Sequence, residues 1–60
     1  MFTEKQIDNW NLYENIRRSG IINMYEYRAG CDITGMTKEE WLFCMSNYNA
    51  LYERVKGVKP

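Results

Sequence analysis

Large apolar side chains recur at helical spacing in the second half of the chain. They follow one another at steps of four, three, four and three positions, as Trp41, Met45, Tyr48, Tyr52 and Val55. Residues at these steps lie on one face of an α-helix. Cys44 and Leu51 widen this face. The pattern therefore predicts one long helix over about residues 38–56.

A broader apolar face runs through the first part of the chain. Its members are Ile7, Trp10, Tyr13 and Ile16, with Leu12 beside them. This face predicts a first helix over about residues 4–18. Two such faces joined by a short element favour an antiparallel pair of long helices, closed at one end by a short helix. The expected core residues are Trp10, Ile16, Trp41, Met45 and Tyr48.

Three places in the chain carry the sequence signature of a helix N-terminus. In a capping box, a Ser, Thr, Asp or Asn side chain accepts a hydrogen bond from the backbone N–H three residues later, and a Glu or Gln at that position bonds back. The pairs that fit are Thr3 with Gln6, Asn23 with Glu26, and Thr37 with Glu40. They predict helices that begin near residues 4, 24 and 38.

Glycines mark the expected helix ends. Gly20, Gly30 and Gly57 each follow a predicted helix, at the position where glycine adopts the left-handed conformation that ends a helix. The sequence thus predicts a single all-α domain over residues 1–60, with long helices at about 4–18 and 38–56 and a short helix at about 24–29 between them. Residues 30–36 are then a loop, and a short extended piece over residues 31–34 is the alternative.

The charge balance changes the set of expected partners. Eight basic and eight acidic residues give a formal net charge of zero, whereas proteins that hold nucleic acid through its phosphates usually carry a basic excess. No stretch approaches the roughly 20 apolar residues that span a bilayer. The first ten residues lack the layout of a secretory leader. We therefore expect a cytoplasmic protein with no membrane partner, for which nucleic acid is the less favoured partner.

The reactive side chains are few. The chain contains no histidine and two cysteines, Cys31 and Cys44. Histidine is the commonest general base, and two cysteines alone do not complete a tetrahedral zinc site. We expect no catalytic residues, no metal and no cofactor. The cysteines are expected to be reduced thiols, and a Cys31–Cys44 disulfide is the alternative.

Aromatic content points instead to a protein-binding surface. Nine aromatic residues and four methionines in 60 residues exceed what two helices readily bury, and such side chains are enriched in interfaces together with arginine. The candidate partner-binding residues are Arg17, Arg18, Tyr25, Tyr27, Arg28 and Phe43. A small DNA-binding regulator that uses the three arginines on phosphates is the main alternative. The spacing of the third helix also matches a coiled-coil seam, which favours a homodimer through that helix.

One stretch of the chain resembles small bacteriophage and prophage proteins. The stretch is Asn15-Ile-Arg-Arg-Ser-Gly-Ile-Ile-Asn-Met24, followed by Gly35-Met-Thr-Lys-Glu-Glu-Trp41 and Asn47-Tyr48. Those proteins carry a Ser-Gly-x-x-Asn-Met segment ahead of a capped helix. The resemblance implies a phage accessory protein that binds and blocks a bacterial host protein, such as a defence factor. A structural or assembly role in the phage is an alternative. The resemblance supplies no site residues.

Overall fold

Four α-helices and no strands make up the fold. The computed structural model describes residues 1–60, with α1 at Glu4–Ser19, α2 at Tyr27–Thr34, α3 at Lys38–Ser46 and α4 at Tyr48–Lys56. The predicted all-α class is confirmed. The predicted arrangement of two long helices and one short helix is not, because the second helix lies elsewhere and the third is divided in two.

Both threonine-headed capping boxes form as predicted. At the start of α1, the Gln6 backbone N–H donates to Thr3 Oγ1 over 3.1 Å, and the Thr3 N–H donates to Gln6 Oε1 over 2.9 Å. At the start of α3, the same two bonds join Thr37 and Glu40 over 3.2 and 2.9 Å. Each box satisfies two backbone groups that a helix end otherwise leaves without a partner.

Loss of the second box should be measurable. Thr37→Ala removes the acceptor at the start of α3 and should cost about 0.5–2 kcal/mol of unfolding free energy. Thr3→Ala removes the equivalent acceptor at the chain end, where fraying reduces the cost. Urea denaturation followed by far-UV circular dichroism would rank the two variants. If Thr37→Ala lowers the unfolding free energy no more than Thr3→Ala does, the capping box at α3 does not contribute significantly to stability.

The second helix begins later than the sequence indicated. Asn23 does not cap a helix over residues 24–29. Its Oδ1 accepts from the Tyr25 N–H over 2.9 Å, and its carbonyl accepts from the Glu26 N–H over 2.8 Å. These bonds close a turn, and turns of this kind compete with helix formation. Helix α2 therefore begins after the turn, at Tyr27.

The end of α2 corrects the predicted role of Gly30. Gly30 is buried in the middle of the helix, and the Trp41 ring occupies the space where a Cβ would lie. Gly35 ends the helix instead, with φ at 77° and its N–H bonded to the Cys31 carbonyl over 2.7 Å. The loop predicted for residues 30–36 and the extended alternative over residues 31–34 are both wrong, because the close contact with α3 requires a helical turn without a side chain at position 30.

The predicted third helix breaks at Asn47. This residue has φ −111° and ψ 24°, outside helical geometry. Its side-chain Nδ2 and its backbone N–H both bond to the Phe43 carbonyl, over 3.0 and 2.9 Å. The backbone N–H groups of the next three residues, 48–50, donate to no carbonyl of α3. Residues 38–56 are therefore two helices joined at Asn47.

The core lies where α1 packs on α3 and α4 and where α2 packs on α3. Its buried apolar members are Trp10, Tyr13, Met36, Trp41, Cys44 and Leu51. The core positions predicted for Trp10 and Trp41 are confirmed, with both side chains wholly inaccessible. Ile16, Met45 and Tyr48 lie at the edge of the core and are half-buried. Leu12 faces outward from α1.

The apolar face proposed for a homodimer packs within the chain. The rings of Tyr13 and Trp41 lie 4.6 Å apart, and Trp10 lies 5.8 Å from Tyr48 and 6.0 Å from Tyr52. These contacts join α1 to α3 and α4. A homodimer stays a prediction, and sedimentation equilibrium at micromolar concentration tests it. None of the helices has the length and apolar character needed to cross a membrane.

Candidate functional site

An open depression lies at the junction between the turn over residues 23–26 and the start of α2. It has a volume of about 250 Å³ and is lined by Tyr25, Glu26, Tyr27 and Arg28. Three of the six candidate partner-binding residues therefore meet here. Together with Lys38, which reaches the Tyr27 ring from α3, the residues Tyr25, Tyr27 and Arg28 form what we term the tyrosine–cation surface.

The turn headed by Asn23 presents Tyr25 to solvent. The Tyr25 backbone is fixed by its bond to Asn23 Oδ1, while its side chain is 82% exposed. Because the backbone of Tyr25 is already ordered, its exposed ring offers a large contact area at low entropic cost on binding. Ile21, in the same connection, is also exposed at 62%.

Two cations approach the Tyr27 ring. Lys38 Nζ is 4.9 Å from the centre of the Tyr27 ring, and Arg28 Cζ is 6.0 Å from it, both within the range of a cation–π contact. The inner side of the ring packs against the core. The pKa of the Tyr27 phenol lies below its ordinary value, first because of the Arg28 guanidinium and then because of Lys38. Negative charge is therefore favoured at this point of the surface.

The two cations of the tyrosine–cation surface have no acidic partner. Arg17 and Glu14 form the single ion pair of the chain, so neither Arg28 nor Lys38 lies within 4.0 Å of a carboxylate oxygen. Both side chains are exposed. Neither charge is therefore neutralised by an ion pair within the chain.

Arg17 is held by the fold. Its Nε and Nη2 donate to the two carboxylate oxygens of Glu14 over 2.6 and 3.0 Å, and Tyr48 Oη donates to the same carboxylate over 2.9 Å. Arg17 Cζ also lies 5.4 Å from the centre of the Tyr48 ring. Glu14 is buried, and the three side chains join α1 to the start of α4. Of the adjacent arginine pair, Arg18 is the exposed cation without such a partner.

The Glu14 carboxylate should make stability depend on pH. The hydrogen bond from Arg17, followed by that from Tyr48, holds the pKa of Glu14 below its ordinary value of 4.5, whereas burial acts in the opposite direction. Because the pKa is lowered in the folded state, the stabilisation is complete above the unfolded-state pKa. It is lost as the pH falls through the folded-state pKa.

Glu14→Gln is therefore expected to cost about 1–2 kcal/mol at neutral pH and to flatten the decrease in stability below the ordinary pKa of a glutamate. Urea denaturation at a series of pH values would show both effects. Glu53→Gln is the matched control, because Glu53 is exposed and forms no ion pair. An equal change of slope in both variants would rule out the carboxylate of Glu14 as the source.

Phe43 lies apart from the depression. Its ring meets Phe2 edge to face, with centroids 6.0 Å apart and planes at 84°, and it is half-buried against the core. The contact ties the start of the chain to α3. The structure thus brings Tyr25, Tyr27 and Arg28 together, but it does not bring Phe43 to them.

The cysteines are two free thiols, so the disulfide alternative is wrong. Burial raises the pKa of Cys44 to about 11, and burial followed by the charge of Asp32 raises that of Cys31. Both thiols are therefore protonated at neutral pH, and thiols are much weaker nucleophiles than thiolates. No three Cys, Asp or Glu side chains lie close enough together to hold a metal ion.

Lys38 was missed among the candidate residues, although the sequence contains a signal for it. A lysine in the first turn of a helix is disfavoured by the positive end of the helix dipole. Lys38 occupies that position directly after the Thr37 cap. A cation that is unfavourable for its own helix suggests a contact outside that helix. Here the ammonium group of Lys38 lies over the Tyr27 ring.

Comparison with protein-family models, with curated proteins and with solved structures finds no significant match to this chain. The candidate surface therefore rests on the chain's own geometry.

Proposed function

We propose that this chain is a non-enzymatic binding protein of a phage or prophage that occupies and blocks a surface of a bacterial host protein. The observation that carries the proposal is the tyrosine–cation surface, where the almost fully exposed Tyr25 stands beside two cations without acidic partners. Tyrosine and arginine are enriched among the residues that dominate binding energy at protein interfaces.

The arrangement of the arginines favours a protein partner over DNA. The rival function requires Arg17, Arg18 and Arg28 to contact phosphates, but the guanidinium of Arg17 is engaged by Glu14 and Tyr48. The formal net charge of zero also gives little of the long-range attraction that phosphate binding uses. Arg18 is then a rim charge, of the kind that influences the association rate more than the affinity.

The host assignment rests on the resemblance to phage and prophage proteins over residues 15–48. Under the proposal, the chain is cytoplasmic in the bacterium, and a defence factor is one class of target. In a phage assembly role, the tyrosine–cation surface of this chain would bind a phage protein instead.

Affinity capture from nuclease-treated bacterial lysate tests the proposal. The wild-type chain and Ile33→Ala should recover the same host protein, since Ile33 is an exposed apolar residue of α2 outside the tyrosine–cation surface. Tyr25→Ala should lose it while keeping the wild-type melting temperature, because the Tyr25 ring contributes little to the core. The purified partner should then form a complex of defined stoichiometry with the wild-type chain.

Two results would contradict the proposal. One is recovery of the partner only when nucleic acid is left intact. The other is a gel shift of mixed DNA that weakens steeply with salt and disappears when Arg17, Arg18 and Arg28 are all replaced by alanine.

A further inference from the structure

We propose that the tyrosine–cation surface binds an acidic peptide segment of the partner, with one carboxylate placed between Arg28 and Lys38 and an apolar side chain on the exposed face of Tyr25. This inference rests on the proposed function, because it assigns the chemistry of the partner at the same surface.

The positions of the cations support a carboxylate as the bound group. Arg28 and Lys38 come from different helices and approach the same Tyr27 ring, with Arg28 Cζ at 6.0 Å and Lys38 Nζ at 4.9 Å from its centre. Neither forms an ion pair within the chain. An arginine fork binds a carboxylate through two parallel hydrogen bonds, and the same two cations lower the pKa of the Tyr27 phenol.

Nearby carboxylates limit the charge of the bound group. Glu26 lines the depression itself, and Glu39 follows Lys38 in the first turn of α3. Two cations with two acidic neighbours suit a single carboxylate, whereas a nucleic-acid strand would bring a row of phosphates to this surface. The charges therefore favour an acidic peptide over RNA or DNA.

Tyr25 supplies the apolar part of the site. Its ring extends from the rim of the depression formed with Tyr27 and Arg28. Tyrosine offers both a broad apolar face and a hydroxyl that hydrogen-bonds a peptide backbone. A segment that carries one acidic side chain close to an apolar side chain matches this combination of cation and ring.

Titration of the ¹⁵N-labelled full chain with a blocked peptide tests the inference. The probe carries one Glu with a Leu two positions away in a Ser background, and the control peptide carries Gln in place of the Glu. We expect amide shifts at residues 25–28 and 38 with the Glu peptide only. The affinity should fall as salt is raised, since exposed charge pairs are screened.

Charge-matched variants locate the binding site. Arg28→Gln combined with Lys38→Gln should weaken binding of the Glu peptide by roughly tenfold, a change expected for the loss of two partly exposed charge contacts. Arg54→Gln combined with Lys56→Gln removes the same charge from the end of α4 and should leave the affinity unchanged. Thermal melts of both variants confirm that each is folded.

Three outcomes would overturn the inference. In the first, the Gln peptide binds as tightly as the Glu peptide. In the second, the two double variants weaken binding equally. In the third, a single-stranded oligonucleotide displaces labelled Glu peptide at a lower concentration than unlabelled Glu peptide does. If any of these occurs while Tyr25→Ala still abolishes capture of the host protein, only the acidic chemistry is wrong. If capture is also unaffected by Tyr25→Ala, the proposed function fails as well.

Discussion

Trp41→Ala is expected to leave a large fraction of the molecules unfolded at room temperature. Truncation of a buried tryptophan costs about 3–5 kcal/mol. A domain of this length has a total stability of roughly 3–9 kcal/mol at the usual 0.05–0.15 kcal/mol per residue. The loss therefore removes from about a third to all of the stability that holds the native state.

The reason lies in the number of elements that meet at this ring. Trp41 is wholly buried in α3, its ring lies 4.6 Å from that of Tyr13 in α1, and it touches Gly30 in α2. Its Nε1 also donates to the Met24 carbonyl over 3.2 Å. A single side chain thus joins three helices and the connection between α1 and α2.

Urea denaturation followed by far-UV circular dichroism measures the effect without relying on tryptophan fluorescence. Leu42→Ala is the neighbouring control, since Leu42 lies on the outer side of α3 and is 38% exposed. Leu42→Ala should lose no more than about 1 kcal/mol. Similar midpoints for the two variants would mean that the buried position of Trp41 is wrong.

Gly30→Ala is expected to destabilise the chain, although helix propensity alone predicts the opposite. Glycine inside a helix is about 1 kcal/mol less favourable than alanine. A Cβ at position 30 would, however, lie 2.5 Å from Trp41 Cζ2 and 2.6 Å from Cζ3. Overpacking of this kind costs typically about 1–3 kcal/mol and occasionally more. Because the obstacle is a rigid buried ring, we expect the overpacking cost to lie at the upper end of this range, which leaves a net loss of about 2 kcal/mol.

Trp41→Phe provides the test of the mechanism. A smaller ring makes room for the added methyl group, so Gly30→Ala should cost less in the Trp41→Phe background than in the wild type. A double-mutant cycle of unfolding free energies measures this coupling, which reaches about 0.5–3 kcal/mol for residues in contact. A stabilising effect of Gly30→Ala in the wild type would show that α2 does not approach α3 at this residue.

The helix starts that could be predicted are those fixed by local chemistry. Thr3 and Thr37 each find their hydrogen-bond partner three residues away, so nothing outside the segment is needed to place them. The limits of α2 were mispredicted because Gly30 and Gly35 are both acceptable helix ends locally. The choice between them depends on Trp41, which lies in the next helix and packs on Gly30.

The apolar pattern gives no sign of the helix break at Asn47. The spacing from Trp41 to Val55 continues without interruption through the break, because both helices pack against α1. A continuous helix over residues 38–56 would place Asn47 away from the apolar face. Its side-chain amide instead donates to the Phe43 carbonyl. Asparagine side chains either bond to nearby backbone groups or face solvent. The residue type therefore does not distinguish a break from a continuous helix.

The candidate surface was partly predictable for a similar reason. Tyr25, Tyr27 and Arg28 are neighbours in sequence, so any fold keeps them close. Lys38 joins them only because α2 and α3 pack together. Conversely, Arg17 was expected at an interface, whereas its partner Tyr48 lies 31 positions away and is brought near by the packing of α4 on α1.

The break at Asn47 also divides the chain dynamically. The amide hydrogens of Tyr48, Asn49 and Ala50 have no backbone acceptor, so in D₂O they should exchange much faster than those of Trp41 or Leu51, which are hydrogen-bonded at buried positions. Hydrogen exchange reports such local opening directly. Because the N–H groups of residues 48–50 donate to no carbonyl of α3, α4 can open without unwinding α3, and its attachment depends on Leu51 and on the link from Tyr48 to Glu14.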